Sequence, residues 1–175
     1  PYFAAELRAV LASLWNWGRN PEFEKPLLEA CRESYWIDEG ARRFLMQYLS
    51  WKGTLRADVE RLAGDRSATA LRFSADGWAW LSQYERAWAP AASLAAVLPG
   101  DEPLQSFVAD LSRSLGMSTE AAARYERLAA LRPARTTWWT RAGEVHAEAG
   151  RYERAGPLWR NILKTGPADP AVWKE

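Results

Sequence analysis

The sequence predicts an all-α protein built from antiparallel helix hairpins. Through most of the chain, apolar residues recur at spacings of three and four, as they do along one face of an amphipathic helix. No segment shows the two-residue alternation that is typical of a β-strand. In the second half, a pattern of glycine, alanine, aromatic and proline residues returns after about 34 residues, which indicates repeated helical hairpins.

The clearest repeat spans residues 136–169. Its pattern positions hold Trp139, Gly143, Gly150, Tyr152, Ala155, Trp159 and Pro167. About 34 residues earlier, the corresponding positions hold Gly116, Ala121, Tyr125 and Pro133. This spacing resembles that of tetratricopeptide repeats: residues 102–169 resemble a tandem pair, and residues 170–175 resemble the start of a further repeat. The resemblance implies a right-handed superhelical solenoid of antiparallel helix hairpins.

We interpret these repeat positions as residues that make the fold. Gly143 and Ala155 are expected to let the two helices of a hairpin approach closely where they cross. Trp139, Tyr152 and Trp159 are expected to fill the space beside the crossing, since each buried aromatic side chain removes about 150–250 Å² of surface from water. A structural role is therefore sufficient to explain these residues.

Residues 1–67 predict two divergent helical hairpins. Apolar residues recur at helical spacing over residues 2–17 and again over residues 23–35. Asp38 is expected to cap a third helix, which ends at Gly53, and a short fourth helix follows. Tryptophan, glycine and proline do not fall on the repeat positions in this part of the chain.

Residues 68–101 predict a third, distorted hairpin. Ser82 occupies the turn position, where the clear repeats have glycine. A glycine stands instead at position 77, so the connection around Asp76 and Gly77 is expected to be a loop. Pro90 is expected either to interrupt the second helix of this hairpin or to lie in its first turns.

From Asp101 onward the helical pattern is regular. Asp101 is expected to cap a helix with Pro103 in its first turn. Gly116 is expected to turn the chain, and Ser118 to cap the next helix. Residues 102–135 thereby form the first of the two regular repeats.

Composition and charge exclude several classes of protein. The chain of 175 residues is 48% hydrophobic and 26% charged, which is typical of a globular protein and not of a disordered one. The net charge is +1, so no basic surface for nucleic acid or anionic lipid is expected. The single cysteine, Cys31, excludes an internal disulfide and a cysteine-based zinc cluster.

No membrane-spanning segment is expected in this chain. The longest uncharged run covers only residues 87–100 and contains two prolines, which is too short and too interrupted for a bilayer. No signal peptide is visible. The ends of the sequence predict a piece of a longer protein, and the compartment stays open.

The sequence contains no motif of a known catalytic site, so no enzyme, cofactor or metal is expected. The single histidine, His146, stands where the repeat usually has an aromatic residue, and we interpret it as structural. Cys31 is interpreted as a small core residue. The neighbouring carboxylates Asp101 and Glu102 lie at a helix start, where the helix dipole favours negative charge.

The resemblance implies that the first helix of each repeat lines a concave groove for a protein or peptide ligand. The groove-facing positions hold Pro103, Ser106, Asp110, Arg113 and Ser114 in one repeat, and Thr137, Thr140, Glu144, Ala147 and Glu148 in the next. With two neighbouring positions included, the candidate partner-binding residues are Phe107, Asp110, Arg113, Thr140, Arg141, Glu144 and Glu148. The alternative is that their charges form a solvated face without a ligand.

One subset of the family grips a terminal carboxylate with lysine and asparagine at two of these groove positions. Here Ser106 and Asp110 occupy those positions in the first repeat. The clamp is absent, and the groove is expected to repel a carboxylate unless Arg113 or Arg141 compensates. Peptides recognised by their C-terminal carboxylate are therefore not the expected ligands.

The eleven tryptophans exceed what the repeat positions require. Three pairs stand one or two residues apart: Trp15 and Trp17, Trp78 and Trp80, and Trp138 and Trp139. Such neighbours point in different directions on a helix, so one member of each pair must leave the core of its own hairpin. Packing between hairpins explains this, and so does an aromatic groove for an extended peptide or a glycan.

These observations predict a non-catalytic scaffold or adaptor that mediates protein–protein interaction in a larger assembly. The alternative is a polysaccharide-handling or export-associated domain whose aromatic groove contacts glycan or docks an enzyme. The periodic motif favours the scaffold, and the tryptophan surplus favours the alternative. Neither reading involves nucleic acid, and the identity of the protein partner is left open.

Overall fold

The computed structural model describes residues 29, 31–33, 35, 36 and 38–165. The only regular secondary structure in this described part is α-helix, which confirms the predicted all-α class. From residue 38 onward the helices in chain order are α1 (Glu39–Lys52), α2 (Leu55–Arg61), α3 (Ala68–Trp80), α4 (Tyr84–Val97), α5 (Glu102–Ser114), α6 (Ser118–Leu131), α7 (Thr136–Glu148) and α8 (Tyr152–Thr165). They belong to two compact units, one ending at Gln83 and the other beginning at Tyr84.

Helix α1 begins and ends where the sequence predicts. The Asp38 carboxylate accepts hydrogen bonds from the backbone N–H groups of Gly40 and Ala41, at 2.6 and 3.2 Å. Gly53 follows the helix with a φ of 74°, a left-handed conformation that glycine adopts without steric cost. The apolar side of the helix buries Ala41, Leu45, Met46 and Leu49. Capping at both ends and burial of one face thus account for where α1 begins and ends.

Helix α3 runs through Asp76 and Gly77, so the expectation of a loop there is wrong. A Cβ atom added to Gly77 would lie 2.5 Å from Cγ2 of Val59 and 3.5 Å from Cδ1 of Leu55. Both of these residues are buried on α2. The glycine therefore allows the close approach of α2 and α3 and does not mark a turn.

Asp76 holds a buried polar cluster between α1 and α3. Its carboxylate accepts hydrogen bonds from the Tyr35 hydroxyl at 2.8 Å and from Nε of Arg72 at 3.0 Å, and Nε of Arg42 lies 4.0 Å away. All four side chains are largely removed from solvent. Burial and the negative charge of Asp76 raise the pKa of Tyr35, so its hydroxyl remains a donor at neutral pH.

Cys31 is a buried core residue, as the sequence predicts. Burial, with a smaller contribution from the charge of Asp38, raises the pKa of the Cys31 thiol to about 11. The thiol is therefore protonated at neutral pH, and protonated thiols are poor nucleophiles.

In the second unit, helices α4 to α8 pack in succession, each against the next. Asp101 caps α5 as predicted: its carboxylate accepts a hydrogen bond from the Leu104 N–H at 2.9 Å, and Pro103 lies in the first turn. The prediction that Ser118 caps α6 is wrong. Ser118 is the first residue inside the helix, and Met117 precedes it without a capping hydrogen bond from its side chain.

Helix α4 contains Pro90, and the structure follows the second of the two alternatives for this residue. Pro90 lies within the second turn and the helix continues to Val97. Proline removes one backbone N–H from the helical hydrogen-bond ladder. Burial of Ala87, Ala91 and Leu94 on the same helix stabilises α4 despite this loss.

The core of the second unit joins helices α5, α6 and α7. Its buried members are Ala109, Ala121, Ala122, Tyr125, Leu128, Ala129, Trp138, Ala142 and Val145. The rings of Tyr125 and Trp138 stack with their centroids 6.2 Å apart and their planes at 16°. This contact connects the predicted repeat 102–135 to the repeat 136–169, so each hairpin covers the apolar side of its neighbour.

The crossing of α7 and α8 differs in part from the prediction. A Cβ atom on Gly143 would lie 2.6 Å from Cδ1 of Trp159, so the glycine packs directly against the indole ring. Ala155 is fully buried and Trp139 is half-buried. Tyr152 is 69% exposed, so the expectation that it fills the space beside the crossing is wrong. As the first residue of α8, it lies next to the turn and not at the level of Gly143.

Helices α3, α5 and α7 end in the same type of turn. The left-handed residues are Ser82, Gly116 and Gly150, with φ of 57°, 73° and 72°. In each turn, the N–H of the following residue bonds the carbonyl five residues earlier at 2.8 Å, which is the Schellman arrangement. The turn positions that the sequence predicts are confirmed, and Ser82 bears the steric cost that glycine avoids.

Some predictions concern residues outside the described ranges. These are the helix over residues 2–17, most of the helix over residues 23–35, and the roles of Pro167 and of residues 170–175. The division of the chain after residues 67, 101 and 169 also stays a prediction. None of the described helices combines the length and apolar composition that crossing a bilayer requires.

Replacing Ser82 with glycine should stabilise the protein by about 0.5–1 kcal/mol, because the left-handed conformation costs glycine no steric strain. Chemical denaturation of both proteins measures the difference. Ser93→Gly is the matched control: Ser93 lies exposed inside α4, where glycine should destabilise by about 0.5 kcal/mol. Equal effects of the two substitutions would contradict the strained turn.

Replacing Gly143 with alanine should destabilise the protein by about 1–3 kcal/mol, because the new methyl group overlaps the Trp159 ring. Gly156→Ala is the control on the partner helix, since a Cβ there meets only Nη1 of Arg160 at 3.9 Å. This control should stabilise by about 0.5–1 kcal/mol. If thermal unfolding shows that both substitutions stabilise, Gly143 is not at a close helix crossing.

Candidate functional site

The candidate site is the surface on which side chains of α5 and α7 meet, the first helices of the two predicted repeats. We call this surface the α5/α7 face and define it by Glu102, Asp110, Arg113, Arg141, Glu144 and Glu148. On each helix the members near the centre of the face are three or four residues apart. This spacing places side chains on the same side of a helix.

Arg113 of α5 binds two carboxylates of α7. Its Nη1 donates to Glu144 at 3.2 Å, and its Nε donates to Glu148 at 3.0 Å. Nη2 of Arg113 also contacts the second oxygen of Glu148, so this ion pair is bidentate. The hydrogen bonds to Glu148, followed by its charge and by Glu144, raise the pKa of Arg113 despite partial burial. The guanidinium therefore ties the C-terminal turns of α5 and α7 together.

Asp110 and Arg141 form the central pair of the face. Nη1 of Arg141 donates to the Asp110 carboxylate at 2.7 Å, and the Tyr125 hydroxyl donates to the same oxygen. The guanidinium of Arg141 lies over the rings of Tyr125 and Trp138, 5.8 and 5.7 Å from their centroids. Burial and the hydrogen bond to Asp110 raise the pKa of Tyr125. The central ion pair thus rests on the aromatic stack of the core.

Glu102 anchors the other end of the face. Its carboxylate accepts a hydrogen bond from Nε1 of Trp138 at 3.0 Å, contacts Arg135 closely and lies 3.7 Å from Nε of Arg132. Desolvation acts to raise the pKa of Glu102, but the hydrogen bonds from Arg135 and Trp138 and the two arginine charges together lower it. Glu102 is therefore held as a carboxylate in the folded protein.

The face and its arginine partners carry balanced charge. Four carboxylates, those of Glu102, Asp110, Glu144 and Glu148, meet four arginines, at positions 113, 132, 135 and 141. In the centre the carboxylates are more exposed than the arginines: Asp110 and Glu148 are 50% and 55% exposed, and Arg113 and Arg141 are 32% and 38% exposed. At these two ion pairs the carboxylates therefore expose the larger fraction of their side chains to an approaching molecule.

The structure brings most of the sequence-predicted residues together. Asp110, Arg113, Arg141, Glu144 and Glu148 all take part in ion pairs that cross from α5 to α7. The sequence predicts that the groove repels a carboxylate unless Arg113 or Arg141 compensates its negative charge. Both arginines do pair with the groove carboxylates.

Two of the predicted residues are not members of these ion pairs. Thr140 donates its hydroxyl to the Thr136 carbonyl at 3.1 Å, within its own helix. Phe107 is half-buried on α5.

The sequence pattern did not indicate that Glu102, Tyr125 and Trp138 contribute to the face. Tyr125 was expected only as a repeat residue, yet its hydroxyl bonds Asp110. The adjacent pair Trp138 and Trp139 did indicate a contact between hairpins, because the side chain of one of them has to point away from the core of its own hairpin. The structure identifies Trp138 as that residue: it is 8% exposed and stacks on Tyr125 of the neighbouring hairpin, while Trp139 bonds the Pro133 carbonyl at 3.1 Å.

The other tryptophan pairs divide differently. Trp78 is buried on α3, whereas Trp80 is 40% exposed, and Trp15 and Trp17 lie outside the described residues. Packing between hairpins therefore accounts for Trp138 but not for every tryptophan of the surplus. Among the described residues, no three His, Cys, Asp or Glu side chains are grouped as metal ligands would be.

Solved structures match the fold, although sequence comparison finds no relative. No family model matches the chain, and no curated protein matches it. MamA AMB-1 superposes with a TM-score of 0.59 at 17% identity, over 99% of this chain and 98% of that chain. MamA MSR-1 superposes with a TM-score of 0.59 at 14% identity, over 94% and 97%.

A third structure agrees with these two. MamA from Desulfovibrio magneticus RS-1 superposes with a TM-score of 0.57 at 12% identity, over 93% of this chain and 94% of that chain. The chain has a tetratricopeptide-like fold. At this level of identity the likeness concerns the arrangement of the helices. The chemistry of the α5/α7 face therefore follows from this chain's own residues.

Replacing Glu102 with glutamine should make the free energy of unfolding fall less steeply as the pH is lowered. Because the folded pKa of Glu102 lies below its unfolded value of about 4.5, its contribution is present above that value and is lost as the pH falls through the folded pKa. Urea denaturation from about pH 7 to pH 3 measures the dependence. Glu153→Gln, at an exposed position of α8, is the control. Identical curves for wild type and Glu102→Gln would contradict the role of Glu102.

Proposed function

We propose that this chain is a member of the tetratricopeptide repeat family and acts as a non-catalytic scaffold that binds a protein segment on its α5/α7 face. The single observation that carries the proposal is the row of ion pairs between α5 and α7, which lies over the stacked rings of Tyr125 and Trp138. Half-exposed charged groups on a rigid support can exchange an internal partner for a ligand group at little cost in ordering. The motif spacing of residues 102–169 and the TPR-like fold support the same proposal.

The charge distribution of the face favours one kind of peptide. The more exposed carboxylates of Asp110 and Glu148 would accept hydrogen bonds from lysine or arginine side chains of the ligand. The two positions that would clamp a terminal carboxylate hold Ser106 and Asp110 in one repeat, and Thr140 and Glu144 in the next. We therefore expect an internal, basic segment of a protein and not a free C-terminus.

Site-specific crosslinking tests where the partner binds. A photo-reactive phenylalanine analogue at position 107, in the full chain, should capture a protein from a lysate of the source organism, and mass spectrometry of the adduct identifies the contacting segment. The same analogue at Arg127, an exposed residue of α6 outside the face, is the control. Capture from position 127 alone would place the binding surface elsewhere.

Charge exchange then tests the contacts. In Asp110→Arg/Arg141→Asp the two charges are exchanged at constant net charge, so the charge offered to the ligand changes. Circular dichroism should show an unchanged helix content before the affinities are compared. The synthetic segment should bind this variant about tenfold more weakly, which corresponds to about 1.4 kcal/mol. Glu153→Lys, at an exposed position of α8, should leave binding unchanged. Unchanged affinity of the exchanged variant would refute binding at this face.

The alternative function, contact with glycan, has one observation in its favour. Trp51, Trp80 and Trp159 are 60%, 40% and 41% exposed, and solvent-exposed aromatic side chains can stack on sugar rings. Tryptophan fluorescence should then shift or be quenched by an oligosaccharide. A panel of neutral and acidic polysaccharides that leaves the emission unchanged would remove this alternative.

A further inference from the structure

The single histidine of the chain lies between an acid and a base in the interior of the second unit. His146 is 2% exposed on α7. Its Nε2 lies 2.6 Å from Oε1 of Glu126 on α6, and its Nδ1 lies 2.9 Å from Nε of Arg151 in the turn between α7 and α8. Both ring nitrogens are thus occupied, one by an anionic group and the other by a cationic group.

These contacts determine the protonation of the ring. A guanidinium only donates hydrogen bonds, so Nδ1 of His146 must accept from Arg151 through its lone pair. The proton of the neutral ring then sits on Nε2 and is donated to Glu126. The arrangement requires the neutral imidazole, because a proton on Nδ1 would face the N–H and the positive charge of Arg151.

Arg151 connects this ring to two other parts of the fold. Its Nη2 donates to the Ser118 carbonyl at the start of α6, at 3.2 Å. Its backbone N–H donates to the His146 carbonyl at 2.8 Å, in the turn in which Gly150 is left-handed. The side chain of Arg151 therefore fastens the α7–α8 turn to the first turn of α6.

We propose that His146 and Arg151 form an acid-sensitive latch on the α7–α8 turn. Protonation of Nδ1 removes the only acceptor that the ring offers to Arg151 and places two positive charges side by side. The guanidinium then leaves the ring and the Ser118 carbonyl, and the turn loosens from α6. The protonated ring keeps its bond to Glu126, so the release is confined to the Arg151 side.

The other charged groups on the helices beside α7 are paired elsewhere or exposed. On α5, Asp110 and Arg113 are engaged with Arg141, Glu144 and Glu148 on the α5/α7 face. On α8, Glu153 and Arg154 of the first turn are exposed. Glu126 from α6 and Arg151 from the turn are the charged groups that the described residues direct at the imidazole.

Nitrogen NMR of the uniformly ¹⁵N-labelled full chain tests the latch without any substitution. One histidine gives one pair of imidazole signals, so the assignment is unambiguous. At neutral pH the signals should show a protonated Nε2 and an unprotonated Nδ1, and they should change to those of the doubly protonated ring on acidification. An Nδ1-protonated or doubly protonated ring at neutral pH would overturn the proposal.

Two variants should move the midpoint of this titration in opposite directions. Arg151→Met removes the positive charge beside Nδ1 and should raise the midpoint, and Glu126→Gln removes the anionic acceptor and should lower it. Arg154→Met and Glu153→Gln, at exposed positions of α8, are the controls and should leave it unchanged. Shifts of the same size in the controls would mean that the midpoint responds to the net charge of the protein and not to the contacts with Glu126 and Arg151.

Hydrogen exchange measures the release itself. After correction for intrinsic rates, the Arg151 amide should exchange faster below the titration midpoint in the wild type, because its turn is no longer fastened to α6. The Gln83 amide, in the equivalent turn after α3, is the internal control, since the hydrogen bonds of Arg151 go to His146 and Ser118 and not to that turn. Arg151→Met should exchange fast at both pH values. A wild-type rate that is the same on both sides of the midpoint would overturn the latch.

Discussion

The packing of Tyr125 against Trp138 is the contact on which the second unit depends. It joins the helices of one hairpin to the first helix of the next, and neither hairpin can remove its apolar side from water alone. Both aromatic residues also have their polar atoms bonded, through Asp110 and Glu102. The same stack therefore provides the core between hairpins and positions the charged groups above it.

The charges of the α5/α7 face follow from this arrangement. Since Arg141 lies over both aromatic rings, it cannot extend freely into solvent, and its pairing with Asp110 has a defined geometry. Exposed ion pairs contribute little to stability, about 0–1 kcal/mol each. Their value for a scaffold lies in specificity, because a row of alternating charges accepts one pattern of ligand charge and disfavours others.

Two residues at which prediction failed show what a local pattern leaves out. Gly77 was expected in a loop because glycine often marks a turn, but here it makes room for Val59 on a neighbouring helix. Tyr152 was expected in the hairpin core because of its place in the repeat motif, yet it is exposed beside the turn. For Gly77 the residue type did reflect a steric constraint, but the helix that imposes it lies elsewhere in the chain. For Tyr152 the repeat motif gave the residue type correctly but not its burial.

By itself the sequence determined the all-α class, the helix starts at Asp38 and Asp101, and the turns at Gly116 and Gly150. Caps and left-handed turns depend on residues within a few positions of one another, so a linear pattern contains the information. Only the tertiary structure decided that Trp138 and not Trp139 enters the core, and that Arg113 and Arg141 bind acids on another helix. Those outcomes depend on which helices lie side by side, and that arrangement is set by the burial of all the apolar faces together.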